Sequence, residues 1–203
     1  MPNWCDNHVR IEHKNKTAID RVVKAYEESR LCAEFIPIPE DLNPPESLRI
    51  GSFQKLSSEE FQTLQSEWRN KNQDKYGYAS WYEFCMDNWG TKWDVGNDPS
   101  FGNTMDDRKP KSVTLNFQSA WSPPIGVFQK MTEEGYHVTA DYYEPGMAYV
   151  GRYTSQDGDE CYSIPSTADE VEKTIPKDMN ELWNISEQMD MEEQELGNLM
   201  GGE

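Results

Sequence analysis

The order of strand-like and helix-like segments constrains the fold of this chain more than any other feature of its sequence. Residues 8–13 and 112–121 both alternate apolar with polar side chains, which is typical of a half-buried β-strand. Residues of helical spacing follow each of them. We expect Thr17 to cap the first helix, and Pro124 and Gly135 to mark the two ends of the second. Two such strand–helix units predict one sheet with helices packed against it.

Three more short strands are predicted in the C-terminal half, at residues 136–144, 147–154 and 160–164. Residues 97–111 are predicted to form a loop. The resulting order is strand, helix, insertion, strand, helix, strand, turn, strand. A split βαβ sandwich of ferredoxin-like type satisfies this order with its helices on one face, so the predicted fold class is α+β.

The insertion is predicted to be helical and to cover about residues 40–100. Prolines interrupt regular structure at its start, and Ser57 before two glutamates indicates the N-terminus of a helix. A second short helix is predicted at residues 80–88. The apolar residues spaced for one buried face of the longer helix are Phe61, Leu64 and Trp68.

We therefore predict a ferredoxin-like domain over residues 1–164 and an acidic helical tail, partly flexible, over residues 165–203. Weak order is expected beyond about Gln188. The apolar residues by which the tail is expected to dock are Val171, Ile175, Leu182, Trp183 and Ile185.

Charge limits the class of partner. The chain has 19 basic and 37 acidic residues and a formal net charge of −18, and residues 165–203 contribute −9 of it from eleven acidic and two basic residues. Such a surface repels phosphate and anionic lipid, so we expect a protein partner with a basic surface and no membrane. The sequence shows no signal-peptide pattern and no apolar run of membrane-spanning length, which predicts a cytoplasmic protein.

Three short motifs carry a resemblance to a known family: MPNWCDN at residues 1–7, NWGTKWDV at residues 88–95 and FQSAWSPP at residues 117–124. Together they resemble the YubB-like proteins of phages and plasmids, over roughly residues 1–164. The resemblance implies a ferredoxin-like domain and a mobile-element origin. It implies no catalytic residues, because the function of that family is largely unassigned.

The same motifs contain four tryptophans, for which two interpretations remain open. In the favoured one, Trp4, Trp89, Trp93 and Trp121 meet at one end of the sheet as internal architecture, with asparagines satisfying the turns. In the other, tryptophans line a binding cleft with Lys92 as a lone cation. The residues predicted to bind a partner are Trp89, Lys92, Trp93, Trp121, Glu192, Glu193 and Glu195.

Catalytic chemistry has little support in the sequence, and no catalytic, cofactor or metal residue is predicted. The three histidines lie in no nucleophile motif, and a carboxylate neighbour disfavours a Cys5 thiolate. Residues 157–160 lack the twelve-residue calcium-loop pattern, and no phosphate-binding glycine loop is present. The four widely spaced cysteines are interpreted as reduced core thiols.

The leading hypothesis is a non-enzymatic accessory protein of a phage or mobile element that binds a host or element protein. Its acidic surface would imitate nucleic acid and inhibit a host nuclease or another nucleic-acid-binding protein. The runner-up is a single-stranded nucleic-acid-binding module that stacks bases on Phe117, Tyr142, Tyr149 and Tyr153. The third hypothesis is a small enzyme that uses Cys5, His8 or residues 157–160.

Overall fold

The structure is a computed structural model that describes residues 3–49 and 57–200, without the side chains of Phe101 and residues 196–200. The first two residues of the MPNWCDN motif and the last three of the predicted tail lie outside the described residues. The strands are β1 (Trp4–Glu12), β2 (Thr104–Lys109), β3 (Ser112–Ala120), β4 (His137–Glu144), β5 (Tyr149–Thr154) and β6 (Gly158–Ser163). The α-helices are α1 (Lys16–Glu27), α2 (Leu31–Phe35), α3 (Ser58–Tyr76), α4 (Trp81–Asn88), α5 (Ile125–Glu133), α6 (Ala168–Thr174), α7 (Lys177–Trp183) and α8 (Ile185–Met200).

The strands form one six-stranded antiparallel sheet in the order β2-β3-β1-β4-β5-β6. Its first four strands, with α1 after β1 and α5 after β3, have the order of a split βαβ sandwich. The predicted ferredoxin-like α+β fold is therefore confirmed. β5 and β6 extend the sheet beyond β4.

Period-two alternation decides which residues of the central strand enter the core. Cys5, Asn7, Val9 and Ile11 of β1 are buried, whereas the residues between them are more exposed and project to the opposite face. Helices α1 and α5 cover the buried face. Their buried residues are Ile19, Val22, Val23, Ala25 and Tyr26 of α1 and Val127, Phe128 and Met131 of α5.

Two local predictions on this side of the sheet need correction. Asn15, and not Thr17, caps α1, because the Asn15 side chain accepts the backbone N–H of Thr17 at 3.0 Å. The segment predicted as a loop contains β2, which pairs with β3 at one edge of the sheet. Almost all β2 side chains are exposed, so the strand shows no apolar alternation and is defined by its backbone pairing.

Helix α3 begins where the sequence predicts but does not bury the predicted face. Ser57 and Glu60 form a complete capping box at its start. Leu64 is 39% exposed, and Phe61 and Trp68 are only half-buried. The buried residue of the helix is Asn72, whose amide donates to the carbonyl of Asp41 at 3.0 Å, so this helix is held by polar contacts to the preceding turn.

The C-terminal helices pack against the face of the sheet opposite α1 and α5. A small second core joins Val150 of β5 to Val171, Ile175, Met179 and Ile185. Arg152 fixes the contact by donating to Asp141 and Asp178, both at 2.6 Å. Leu182, predicted to dock, is 42% exposed, and α8 continues past Gln188 as a helix. Fast amide exchange there stays a prediction.

In the described part of the chain, no helix combines the length and apolarity that crossing a bilayer requires.

Candidate binding cleft

Aromatic side chains gather at the end of the sheet where β1 begins and β3 ends. Trp4 pairs with Ala120, the ring centroids of Trp4 and Trp93 are 6.0 Å apart, and Trp121 directly follows β3. The Lys92 ammonium lies 4.4 Å from the ring centroid of Trp93 and 5.8 Å from that of Tyr82. We call Trp4, Tyr82, Trp93 and Trp121 the aromatic end.

Three of the four side chains of the aromatic end are exposed, although aromatic side chains of this size are usually buried. Tyr82 is 43%, Trp93 39% and Trp121 37% exposed. Single exposed apolar side chains are common on protein surfaces, whereas a cluster of exposed aromatic rings marks an interaction surface. The favoured prediction that these tryptophans serve internal architecture is therefore wrong for Trp93 and Trp121.

A cleft of about 430 Å³ opens between the rings of Trp4 and Trp93 and the end of β3. Two carboxylates line it, and none of the described residues that line it is basic. The residues lining the cleft are Trp4, Ser29, Trp93, Asp94, Val95, Gly96, Asp98, Asn103, Gln118, Ser119 and Ala120.

One wall of the cleft is a loop held tightly against α1. A β-carbon on Gly96 would lie 2.2 Å from the α-carbon of Ser29, so only glycine permits this approach. The backbone N–H of Asn97 donates to the carbonyl of Tyr26 at 2.9 Å. The loop is therefore fixed before any ligand arrives, which lowers the entropic cost of binding.

Asp94 braces the same loop against the start of α2. Its carboxylate accepts the backbone N–H groups of Cys32 at 2.7 Å and Ala33 at 3.0 Å. Burial raises the pKa of Asp94, and these N–H bonds oppose the rise. Because its oxygens are occupied by backbone donors, Asp94 is a structural carboxylate.

The floor of the cleft is fixed by amide side chains. Asn103 accepts the backbone N–H of Gln118 at 3.1 Å and donates to the carbonyl of Gly96 at 2.8 Å. The Gln118 side-chain amide donates to Asp6 at 2.9 Å. Asp98, at the rim, accepts the N–H and hydroxyl of Ser100 on the same oxygen, Oδ1.

Trp121 has an unusual backbone conformation for a bulky residue, with φ at +72°. Its N–H donates to the carbonyl of Asn3 at 3.0 Å, and its carbonyl accepts the Tyr149 hydroxyl at 2.7 Å. A strained residue persists where its surroundings hold it in place, and here those bonds hold the Trp121 backbone at the end of the sheet.

The predicted binding residues divide among three places. Lys92 and Trp93 are in contact at the aromatic end, and Trp121 is exposed directly after β3. Trp89 is 2% exposed and donates its indole N–H to the carbonyl of Ile36 at 2.8 Å, so it belongs to the core. Glu192, Glu193 and Glu195 are exposed on α8 and do not line the cleft.

Trp4, Tyr82 and Asp98 are not among the binding residues that the sequence predicts. The signal available for Trp4 was its position in the opening motif, which the pairing with β3 brings beside Trp93. No sequence signal pointed to Asp98, since its role depends on how the loop folds back over β3.

Three of the four aromatics of the nucleic-acid hypothesis are buried, which corrects their predicted placement on an open face, and the fourth, Tyr149, is half-buried. Phe117, Tyr142 and Tyr153 are 3%, 1% and 3% exposed. Phe117 packs against Tyr26 of α1, and Tyr153 against Phe128 of α5. These rings are therefore core residues without a face open to a base.

The residues of the enzyme hypothesis are also separated. Cys5 is fully buried, and burial raises its pKa to about 12, so the thiol stays protonated at neutral pH. His8 projects to the other face of β1 and bonds to Asn116 at 2.6 Å. Cys161, expected in the core, is exposed on the edge strand β6. Across residues 3–49 and 57–200, no group of three or more histidine, cysteine or carboxylate side chains is placed to hold a metal ion.

A second cavity, of about 260 Å³, adjoins the cleft on the face opposite α1. It shares Asn103 and Gln118 with the cleft, and it is also lined by Asp6, His8 and Trp183. The indole nitrogen of Trp183 is buried and has no hydrogen-bond partner among the described residues. A polar cavity of this size holds ordered water readily.

The fold and the cleft together define a ferredoxin-like α+β protein with a preformed binding cleft at one end of its sheet. The family model for the ferredoxin-like domain in Api92-like protein matches residues 88–194. Because that match covers just over half of the chain, this chain belongs to that family. The match includes the NWGTKWDV and FQSAWSPP motifs and extends into α8.

Among solved structures, protein Api92 from Yersinia pseudotuberculosis is similar at 11% sequence identity, with a TM-score of 0.38. The alignment covers 81% of this chain and 99% of that one. A likeness at this level carries no argument about the site. No curated protein matches the sequence significantly.

Proposed function

We propose that this protein is a non-enzymatic binding module that docks a protein with a basic surface at its aromatic end. The observation that carries the proposal is the exposure of Trp93, which lines a preformed cleft, and of Trp121, which directly follows β3, at 39% and 37% in a chain of net charge −18. Tryptophan and tyrosine are the residues most enriched at the energetic centres of protein interfaces. The negative field would steer a cationic partner towards them.

The setting we propose is a phage or another mobile element, acting in the host cytoplasm. Its support is the resemblance of the three tryptophan-containing motifs to YubB-like proteins. A host nuclease or another nucleic-acid-binding protein fits the required chemistry, because its basic cleft is complementary to this surface. The acidic residues of α8, among them Glu192, Glu193 and Glu195, would extend the negative field without touching the cleft.

The test is capture of partners from a bacterial lysate by the full chain, followed by elution with rising salt. The Debye length, over which charges attract each other, shortens from about 10 Å at 0.1 M to about 3 Å at 1 M ionic strength. A partner steered by charge should therefore elute within that range of salt. The double variant Trp93→Ala/Trp121→Ala should lose the partner.

Leu64→Ala is the matched control, because Leu64 on α3 is also 39% exposed. It should retain the partner. Capture of no basic protein, or equal retention by the double variant and the parent chain, would contradict the proposal.

A further inference from the structure

We propose that the cleft is a receptor for one cationic side chain of the partner, an arginine. The proposal rests on the proposed function, which it makes specific by naming the group that enters the cleft.

The aromatic rings already show an affinity for cations within the molecule. The Lys92 ammonium lies 4.4 Å from the ring centroid of Trp93, inside the distance of about 6 Å at which a cation is attracted to an indole face. Trp4 contributes a second indole at the mouth of the cleft, with its plane at 36° to that of Trp93. A planar guanidinium stacks on such rings better than an ammonium does.

The cleft offers a carboxylate oxygen of Asp98 as an acceptor for a cationic ligand. Both hydrogen bonds that the described residues donate to Asp98 end on Oδ1, which leaves Oδ2 for a ligand. The Gln118 side chain, which also lines the cleft, is oriented by the donation of its amide to Asp6. A guanidinium offers five N–H donors in a fixed plane, which lets it bond to a carboxylate while its face stacks on an aromatic ring.

Charge selects against the other occupants that the cleft would accept by size. Its volume of about 430 Å³ lies in the range of ligand sites, roughly 300–1,000 Å³, and a neutral apolar side chain would also fit. Such a side chain would leave the Asp98 carboxylate partly desolvated without a partner, which is unfavourable. An anionic group would meet that carboxylate directly.

The experiment titrates the full chain with N-acetyl-arginine amide and follows the indole N–H signals of Trp4 and Trp93 by NMR. The neutral isostere N-acetyl-citrulline amide and the apolar N-acetyl-norleucine amide are the comparison probes. We expect the arginine probe to shift both indole signals and to bind at least about tenfold more tightly than either comparison probe, one charged hydrogen-bonded contact being worth about that factor.

Asp98→Asn removes the charge but keeps the Oδ1 acceptor for Ser100, so the loop should stay folded. It should weaken binding of the arginine probe by about tenfold, whereas Asp107→Asn, on an exposed carboxylate of β2, should leave it unchanged. Unchanged near-ultraviolet circular dichroism checks the fold of both variants.

Three results would overturn the inference: no indole shift at millimolar arginine probe, equal binding of the citrulline or norleucine probe, or equal binding by Asp98→Asn. Partner capture that depends on Trp93 and Trp121 in the face of such a result would leave the proposed function standing. Arginine binding without partner capture would support the cleft as an arginine receptor and would contradict the proposed function.

Discussion

Two tryptophans of one motif, four positions apart, occupy opposite environments. Trp89 is 2% exposed and its indole N–H is bonded to the carbonyl of Ile36, whereas Trp93 is 39% exposed and contacts Trp4 and Lys92. The first stabilises the core beneath α4 and α5, and the second forms part of a cleft. Residue type and motif are the same for both, so burial alone separates a structural indole from one available to a partner.

Of the substitutions that distinguish the two environments, loss of the buried ring should have the largest effect on stability. Trp89→Ala should lower the free energy of unfolding by about 3–5 kcal/mol, because it leaves a cavity and an unpaired Ile36 carbonyl. Chemical denaturation monitored by circular dichroism measures it. A loss below about 1 kcal/mol would mean that Trp89 is not a core residue.

Adding one methyl group under the cleft loop should have a smaller effect. Gly96→Ala places a β-carbon 2.2 Å from the α-carbon of Ser29 and 2.7 Å from the carbonyl oxygen of Tyr26. We expect a loss of about 1–3 kcal/mol in the free energy of unfolding and weaker partner binding, since the loop must move. Full stability with unchanged binding would show that the loop does not need this close approach.

Removing the exposed ring should cost little stability. Trp93→Ala is expected to change the free energy of unfolding by less than about 1 kcal/mol, because the side chain is partly solvated in the free protein. Thermal and chemical denaturation of the Trp93→Ala and Trp89→Ala variants together measure the ratio of the two stability losses. A loss as large as that of Trp89→Ala would remove the distinction between the two regions.

The smallest effect concerns the C-terminal helices, whose small core around Val150 is separate from the main core that contains Trp89. The Arg152 guanidinium lowers the pKa of Asp178, whose side chain is 61% exposed. A carboxyl with a lowered pKa contributes stability above its unfolded pKa and loses it as the pH falls through the folded value.

Asp178→Asn should therefore cost at most about 0.5 kcal/mol at pH 7, and the difference from the parent chain should shrink as the pH falls below about 4. Urea denaturation at pH 7 and pH 3 measures both values. A difference that grows on acidification would have the wrong sign for this ion pair.

The sequence predicts the elements that have a local side-chain pattern, such as apolar alternation or a capping residue. Alternation in residues 112–121 located β3, and the Ser57 cap located α3. β2 was missed because an exposed edge strand has no apolar alternation to detect. The buried face of α3 was predicted wrongly, because Phe61, Leu64 and Trp68 satisfy the helical spacing, yet Leu64 is exposed and the other two are only half-buried.

The site could be predicted only in part for a related reason. The alternation along the strands that contain Phe117 and Tyr142 predicts which residues share a face of the sheet. It does not predict which of the two faces the helices cover. The aromatic end depends on the long-range pairing of Trp4 with Ala120 and on the loop fixed by Gly96. Neither contact is encoded within a window of the sequence.

The central claim is that the exposed indoles form the recognition surface while the buried one supports the fold. The most direct test is the dissociation constant of a purified captured partner for the parent chain, Trp93→Ala and Leu64→Ala, each shown to be folded. We predict that Trp93→Ala weakens binding at least about tenfold and Leu64→Ala less than about twofold, as expected for a hot spot against a neutral surface position. Equal dissociation constants for all three chains would contradict the account.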